Sequence, residues 1–153
     1  FLDDVERRVV APAAERLPVE ETPEEHFARA RKRIAEENFA AAKAELSAAE
    51  RLMGPEDRRR ALYYERMGFI ALAERDMRKA KAYYTEGLKL AGSLGLRDPN
   101  VADAYEGMGH CLAKEGDLVY ALKFYKKAFE VSPTLKAQRL AEETEARIRR
   151  KGK

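Results

Sequence analysis

Residues 104–133 read AYEGMGHCLAKEGDLVYALKFYKKAFEVSP and carry the most informative pattern in the chain. Two runs of helix-favouring residues flank Gly116-Asp117, and the stretch ends at Pro133. Glycine and aspartate favour a turn, whereas proline stops a helix because it has no backbone N–H to donate. The stretch therefore predicts two helices that are joined by a tight turn.

The same pattern occurs twice more towards the N terminus. When the chain is aligned on Ala42, Ala80 and Ala121, a large residue follows four positions later and a small one three positions after that. A repeat of this kind indicates helix pairs that stack and bury their apolar faces against one another. The large and small residues are Leu46 with Ala49, Tyr84 with Gly87, and Tyr125 with Ala128.

Glycines mark the first helix of the second and third copies. Gly68 and Gly109 each follow a methionine, and a tyrosine lies four residues before each glycine. Two antiparallel helices approach closely where a small residue of one faces a large residue of the other. We therefore expect Tyr84 to pack on Gly68 and Tyr125 to pack on Gly109.

Residues 104–133 resemble a tetratricopeptide repeat along their full length, including its turn and its closing proline. The second copy, residues 63–90, departs from the family pattern because Arg75 replaces the turn glycine and no proline closes it. The first copy, residues 26–52, is weaker, with Ala30 at the usual glycine position. The anchors lie 38 and 41 residues apart, against roughly 34 in the standard repeat. Similar elongated repeats occur in kinesin-light-chain-like and bacterial regulatory proteins.

The resemblance implies an all-α fold, a right-handed α-solenoid of three antiparallel helix pairs with a C-terminal capping helix. Thr22-Pro23 and Asp98-Pro99 each offer a capping side chain before proline at the first helical position, so helices are predicted to start there. Residues 1–22 are expected to form a linker or a short helix over Leu2–Val10. The repeat domain is expected at 23–153, with repeats at about 23–54, 57–95 and 98–132 and the cap at 133–150.

Charge and hydropathy argue against several functional classes. The chain of 153 residues has 30 basic and 27 acidic side chains, and the two signs are interspersed. A nucleic-acid surface is therefore not expected, since the basic runs at 58–60 and 147–153 also lack interleaved aromatic residues. No apolar run of about 18 residues exists to span a bilayer, and the first residues do not resemble a secretory signal.

The single cysteine, Cys111, is compatible with a reducing compartment, so a cytoplasmic location is expected. The chain begins at Phe1, which suggests a fragment or a processed product of a longer protein. Cys111, His26 and His110 are the candidates for catalysis, but they show no recognisable spacing. Neighbouring helical residues point about 100° apart, so a Cys111–His110 dyad is not expected. No cofactor and no metal ion are predicted.

The resemblance implies that the first helix of each pair lines a concave groove. An exposed Phe69 beside Leu72 and Ala73 would suit an amphipathic helix or an extended peptide with an apolar anchor. The expected charged rim consists of Arg31, Glu65, Glu106 and Lys114. The alternative is that the N-terminal segment or a lengthened neighbouring helix covers Phe69. Chaperone-binding members clamp a C-terminal carboxylate at such positions, which glutamates would repel. The implied groove residues are Phe27, Arg31, Leu62, Glu65, Phe69, Leu72, Ala73, Asp103, Glu106, His110 and Lys114.

The sequence thus predicts a non-enzymatic interaction module. Its expected partner is another protein or a peptide segment, including a segment of a longer parent chain. The alternative is a structural scaffold that self-associates through its ends or through residues 1–22 into a homo-oligomer, as some bacterial scaffold and secretion-chaperone repeats do.

Overall fold

The computed structural model describes residues 20–152 of the chain, and the predicted short helix over Leu2–Val10 lies outside them. The described residues form seven α-helices and no strand, which confirms the all-α prediction. Six helices pair in sequence order, and the seventh packs on the last pair. The helices are α1 (Pro23–Ala35), α2 (Phe39–Arg51), α3 (Arg60–Ala73), α4 (Met77–Leu94), α5 (Pro99–Lys114), α6 (Leu118–Val131) and α7 (Leu135–Lys151).

Side chains cap the N termini of most of these helices, because the first backbone N–H groups of a helix have no partner within it. The start of α5 is an exception to our prediction. Asp98 precedes Pro99 there, but its carboxylate makes no capping hydrogen bond and instead accepts one from Arg58 Nη2 at 3.3 Å. The capping oxygens belong to Thr22, Asn38, Asp76, Asp117 and Thr134.

The turn inside each pair contains one residue with a left-handed backbone. These residues are Glu37, Arg75 and Gly116, with φ of 58°, 64° and 86°. They recur at the same intervals of 38 and 41 residues as the anchor alanines. Glycine adopts this conformation without steric cost, whereas a side chain makes it less favourable. Arg75 therefore departs from the family pattern in residue type but keeps its backbone shape.

Glycine–tyrosine contacts hold the second and third pairs together. A Cβ atom at Gly68 would lie 2.7 Å from Tyr84 Cε1, and one at Gly109 would lie 2.5 Å from Tyr125 Cε1. Both predicted contacts are therefore confirmed. Gly107 in α5 also abuts the ring of Tyr84, which the sequence analysis did not predict. Tyr84 thus contacts the first helix of its own pair and the first helix of the next pair.

The apolar interior runs along the stack as two clusters of buried side chains. The anchor alanines 42, 80 and 121 are all fully buried, as the shared alignment predicts. One cluster includes Leu46, Met53, Tyr63, Met67 and Ile70, and the other includes Ala71, Ala80, Tyr84, Ala104 and Cys111.

Replacing Gly109 with alanine is expected to destabilise the protein by about 1–3 kcal/mol, because the added methyl group would displace the ring of Tyr125. Gly92 provides a matched control, since it lies on the exposed face of α4 with no atom near its missing side chain. Gly92→Ala is expected to stabilise by up to about 1 kcal/mol. Urea unfolding measures both free energies. Equal effects of the two substitutions would contradict the packing described here.

Candidate binding groove

Three adjoining cavities lie along the face that α1, α3, α5 and α7 form. Their volumes are about 430 Å³ at the N-terminal end, 300 Å³ in the middle and 740 Å³ at the C-terminal end. Arg66 lines both the first and the second cavity, and Phe69, Leu72 and His110 line both the second and the third. The cavities therefore form one concave surface, which we call the groove.

The eleven residues that the resemblance implied all line these cavities. Two apolar residues of α3, Phe69 and Leu72, lie where the middle and C-terminal cavities meet. Ala73 lies beside them and lines only the C-terminal cavity. The role of the eleven residues in binding a partner stays a prediction. Phe27, Arg31 and Leu62 line the N-terminal cavity; Glu65, Asp103 and Glu106 the middle one; Phe69, Leu72 and His110 the middle and C-terminal ones; Ala73 and Lys114 the C-terminal one.

Helix α7 forms a wall of the groove, which the interpretation of this segment as a cap did not predict. Lys136 lines the middle cavity, and four further residues of α7 line the C-terminal cavity. The repeat pattern gives groove positions only inside the repeats, and α7 follows the last one. The available signal was a row of mostly apolar residues spaced by three or four positions, Ala137, Leu140, Thr144 and Ile148. The four residues of α7 that line the C-terminal cavity are Leu140, Glu143, Thr144 and Arg147.

Phe69 is the large apolar side chain most exposed within the groove, at 44% of its maximal area. It lies on α3 between the middle and C-terminal cavities, beside the partly buried Leu72. The neighbouring helices leave it accessible among residues 20–152. The alternative in which a lengthened helix covers Phe69 is therefore wrong. The alternative in which the N-terminal segment covers it concerns residues 1–19, which lie outside the described residues.

Glu65 lies in the floor of the middle cavity rather than at an exposed rim. Its side chain is 5% exposed and forms an ion pair with Arg66. Burial raises the pKa of the Glu65 carboxyl to about 7, and the nearby carboxyls of Asp103 and Glu106 act in the same direction. Arg66 opposes this effect without cancelling it. We expected Glu65 at the exposed rim because of its position in the repeat. That position places a residue in the groove, but it does not determine how much of its side chain is exposed.

Glu106 and His110 belong to a polar network that joins three helices. Glu106 on α5 accepts hydrogen bonds from His110 Nε2 at 3.3 Å and pairs with Lys136 Nζ of α7 at 2.8 Å. These two contacts hold the pKa of Glu106 below its ordinary value. The hydroxyl oxygen of Tyr125 on α6 lies 2.9 Å from His110 Nδ1. The network connects α7 to α5. Glu106 and His110 are therefore both bonded to other side chains of the protein.

The candidates for catalysis do not come together. Cys111 is fully buried, and burial raises the pKa of its thiol to about 11, so the thiolate is scarce at neutral pH. The ring of His110 contacts Tyr125 rather than Cys111. His26 is buried at the other end of the chain, where Nδ1 lies 2.7 Å from Glu45 Oε2.

The described part of the chain contains neither a metal-binding cluster nor a membrane-spanning helix. Among residues 20–152, no group of three or more His, Cys, Asp or Glu side chains is arranged to hold a metal ion. Within the same range, no helix combines the length and the hydrophobicity needed to cross a membrane.

A solved structure has a similar fold. The N-terminal domain of stress-induced protein-1 (STI-1) from C. elegans matches with a TM-score of 0.63 at 13% sequence identity. The match covers 80% of this chain and 94% of that chain. No family model and no curated protein sequence matches this chain. At this identity the likeness shows the fold alone, an all-helical solenoid of the tetratricopeptide-repeat type.

The stability of the protein is expected to depend on the ionisation of Glu65. Because its folded pKa of about 7 exceeds the ordinary 4.5, the folded state holds the proton more tightly than the unfolded state. The contribution of Glu65 to the free energy of unfolding therefore falls as pH rises from about 4.5 to about 7, by up to about 3 kcal/mol. Glu65→Gln is expected to remove this fall.

Urea unfolding at pH 5 and pH 8 measures this dependence for the wild type and for Glu65→Gln. The same substitution at the exposed Glu56 serves as the control, because it also removes one ionisable carboxyl but lies outside the groove. The difference in stability between the two pH values should shrink in Glu65→Gln alone. Parallel pH profiles for all three proteins would show that Glu65 is not buried as described.

Proposed function

We propose that the chain is a non-catalytic module that binds a segment of another protein in the groove. The observation that carries this proposal is the exposure of Phe69 inside a continuous concave surface. A large apolar side chain that is left accessible in a concavity is a typical anchor point at protein interfaces. The solenoid fold supports the proposal in general, because stacked helix pairs form extended concave surfaces.

The size of the groove suits a peptide. From α1 to α7 the groove crosses three steps between neighbouring helices, at about 10 Å each. An extended chain advances about 3.3 Å per residue, so about nine residues would span this length. The groove also accommodates an amphipathic helix that inserts one apolar side chain beside Phe69.

The charges in the groove argue against a partner that is held by its C-terminal carboxylate in the middle cavity. Glu65, Asp103 and Glu106 line this cavity, against the two cations Arg66 and Lys136. Both cations are already paired, Arg66 with Glu65 and Lys136 with Glu106. A terminal carboxylate would therefore meet repulsion there, which favours binding of an internal segment.

Phe69→Ala is expected to weaken binding of such a segment by about tenfold or more, because it removes the apolar anchor point. Helicity and thermal stability should change little, since the side chain is nearly half exposed. Phe129→Ala is the matched control, because Phe129 is 39% exposed on α6 and lies outside the groove. The ligands are peptides selected by the full chain from a random dodecapeptide library, and fluorescence anisotropy measures their affinity. Equal affinity of the two variants would place the binding surface elsewhere.

The alternative of a self-associating scaffold rests on a different surface. Val119 and Tyr120 are neighbours at the start of α6, and each is more than half exposed. Two exposed apolar side chains are common on monomeric proteins, so this support is weaker than that for the groove. Sedimentation velocity over a wide concentration range tests it. A monomer at all concentrations would exclude self-association, and a dimer that Val119→Lys dissociates would support it.

A further inference from the structure

The C-terminal cavity is lined by more cations without an ion pair than the rest of the groove. We infer that it takes an internal segment of another protein in which acidic residues lie on one side of a large apolar residue. This inference rests on the proposed function and adds the chemistry of the partner. It commits to a partner in trans, and it assigns the apolar residue and the carboxylates of that partner to separate parts of the cavity.

The apolar part of the cavity comes from two helices. Phe69 and Leu72 of α3 and Leu140 of α7 line it, and Phe69 remains accessible. The cavity volume of about 740 Å³ lies within the range of roughly 300–1,000 Å³ that is usual for binding pockets. A leucine, isoleucine or phenylalanine side chain of a partner would lose its contact with water there, which is the main source of affinity at such sites.

The polar part of the cavity carries an excess of positive charge. Arg75 in the turn before α4, Lys114 at the end of α5 and Arg147 on α7 all line it, and all three are exposed. None of them forms an ion pair with another residue in the range 20–152, whereas Glu143 is the sole carboxylate among the lining residues. Converging cations with no internal partner attract a ligand of opposite charge.

The other cavities hold fewer unpaired cations. In the N-terminal cavity, Arg58 pairs with Asp98 and Arg59 pairs with Glu24, so Arg31 is the one lining cation that forms no ion pair within residues 20–152. In the middle cavity the cations are likewise paired, and Asp103 adds a carboxylate that forms no ion pair with the residues described. Carboxylates of a bound segment are therefore attracted most strongly at the C-terminal end of the groove and repelled in the middle. This contrast places the acidic residues of the partner on one side of its apolar residue.

A different role for two of the cations is to offset the partial negative charge at the C termini of helices. Lys114 lies in the last turn of α5, and Arg75 lies two residues after the end of α3. Cations at these positions stabilise a helix by a fraction of a kcal/mol up to about 1 kcal/mol. That role predicts an effect on stability and no effect on the choice of ligand, so a selection experiment separates the two.

The test is a selection of dodecapeptides by the immobilised full chain. One random library is acetylated and amidated at its termini, and a second carries free C-terminal carboxylates. We expect the capped library to yield peptides in which Asp and Glu cluster on one side of Leu, Ile or Phe. The selected peptides should bind Arg75→Glu/Lys114→Glu/Arg147→Glu about tenfold or more weakly than the wild type.

The control variant carries the same charge change on the second helices of the pairs. Arg51→Glu/Lys89→Glu/Lys123→Glu should bind the selected peptides within about twofold of the wild type, because these residues line none of the three cavities. Circular dichroism shows whether both triple variants keep their helices. The neutral variant Arg75→Gln/Lys114→Gln/Arg147→Gln, in which no repulsion is added, should show an intermediate loss.

Four outcomes would overturn the inference. Selected peptides that are basic, or apolar without acids, would leave the proposed function intact but give the partner a different chemistry. Binding of the free-carboxylate library alone would identify a terminal carboxylate as the ligand. A dimer that the charge-reversed triple variant dissociates would place a second copy of the chain in the cavity. If neither library yields a binding peptide, the proposed function fails together with the inference.

Discussion

The arrangement of the stack depends on the ring of Tyr84. This side chain from α4 is almost fully buried and lies against two glycines, Gly68 of α3 and Gly107 of α5. Neither position has room for a Cβ atom beside the ring. One aromatic side chain therefore sets the distance within the second helix pair and also the distance between this pair and the next. Burial raises the pKa of its hydroxyl far above the ordinary value, so the ring stays neutral.

The groove follows from this contact. Because Tyr84 holds α3 and α5 close together, Phe69 on α3 and His110 on α5 line the same two cavities. Tyr84 and Gly107 themselves line the middle cavity, so the packing contact forms part of its floor. Helix α7 completes the wall, and the ion pair from Lys136 to Glu106 ties it to α5. The surface for a partner is therefore built by the same contacts that build the core.

The sequence was sufficient to predict the helix pairs and the contacts inside them. The spacing of Gly68 and Tyr84 lies within one repeat, and it predicts their contact because the repeat pattern encodes packing between paired helices. Gly107 was missed because its contact with Tyr84 runs between repeats, and the pattern of a single repeat does not contain it. Burial of Glu65 was missed for a related reason: its surroundings come from α4 and α5 as well as from its own helix. The wall formed by α7 follows from tertiary packing that no repeat position describes.

Nuclear Overhauser effects between Tyr84 and the two glycines test this account most directly. The aromatic protons of Tyr84 should give cross-peaks to the Hα protons of both Gly68 and Gly107, since a Cβ atom at either glycine would touch the ring. Ring-current shifts of the same Hα protons should accompany them. A spectrum with cross-peaks to only one of the two glycines, or to neither, would contradict the claim that this tyrosine joins the two helix pairs.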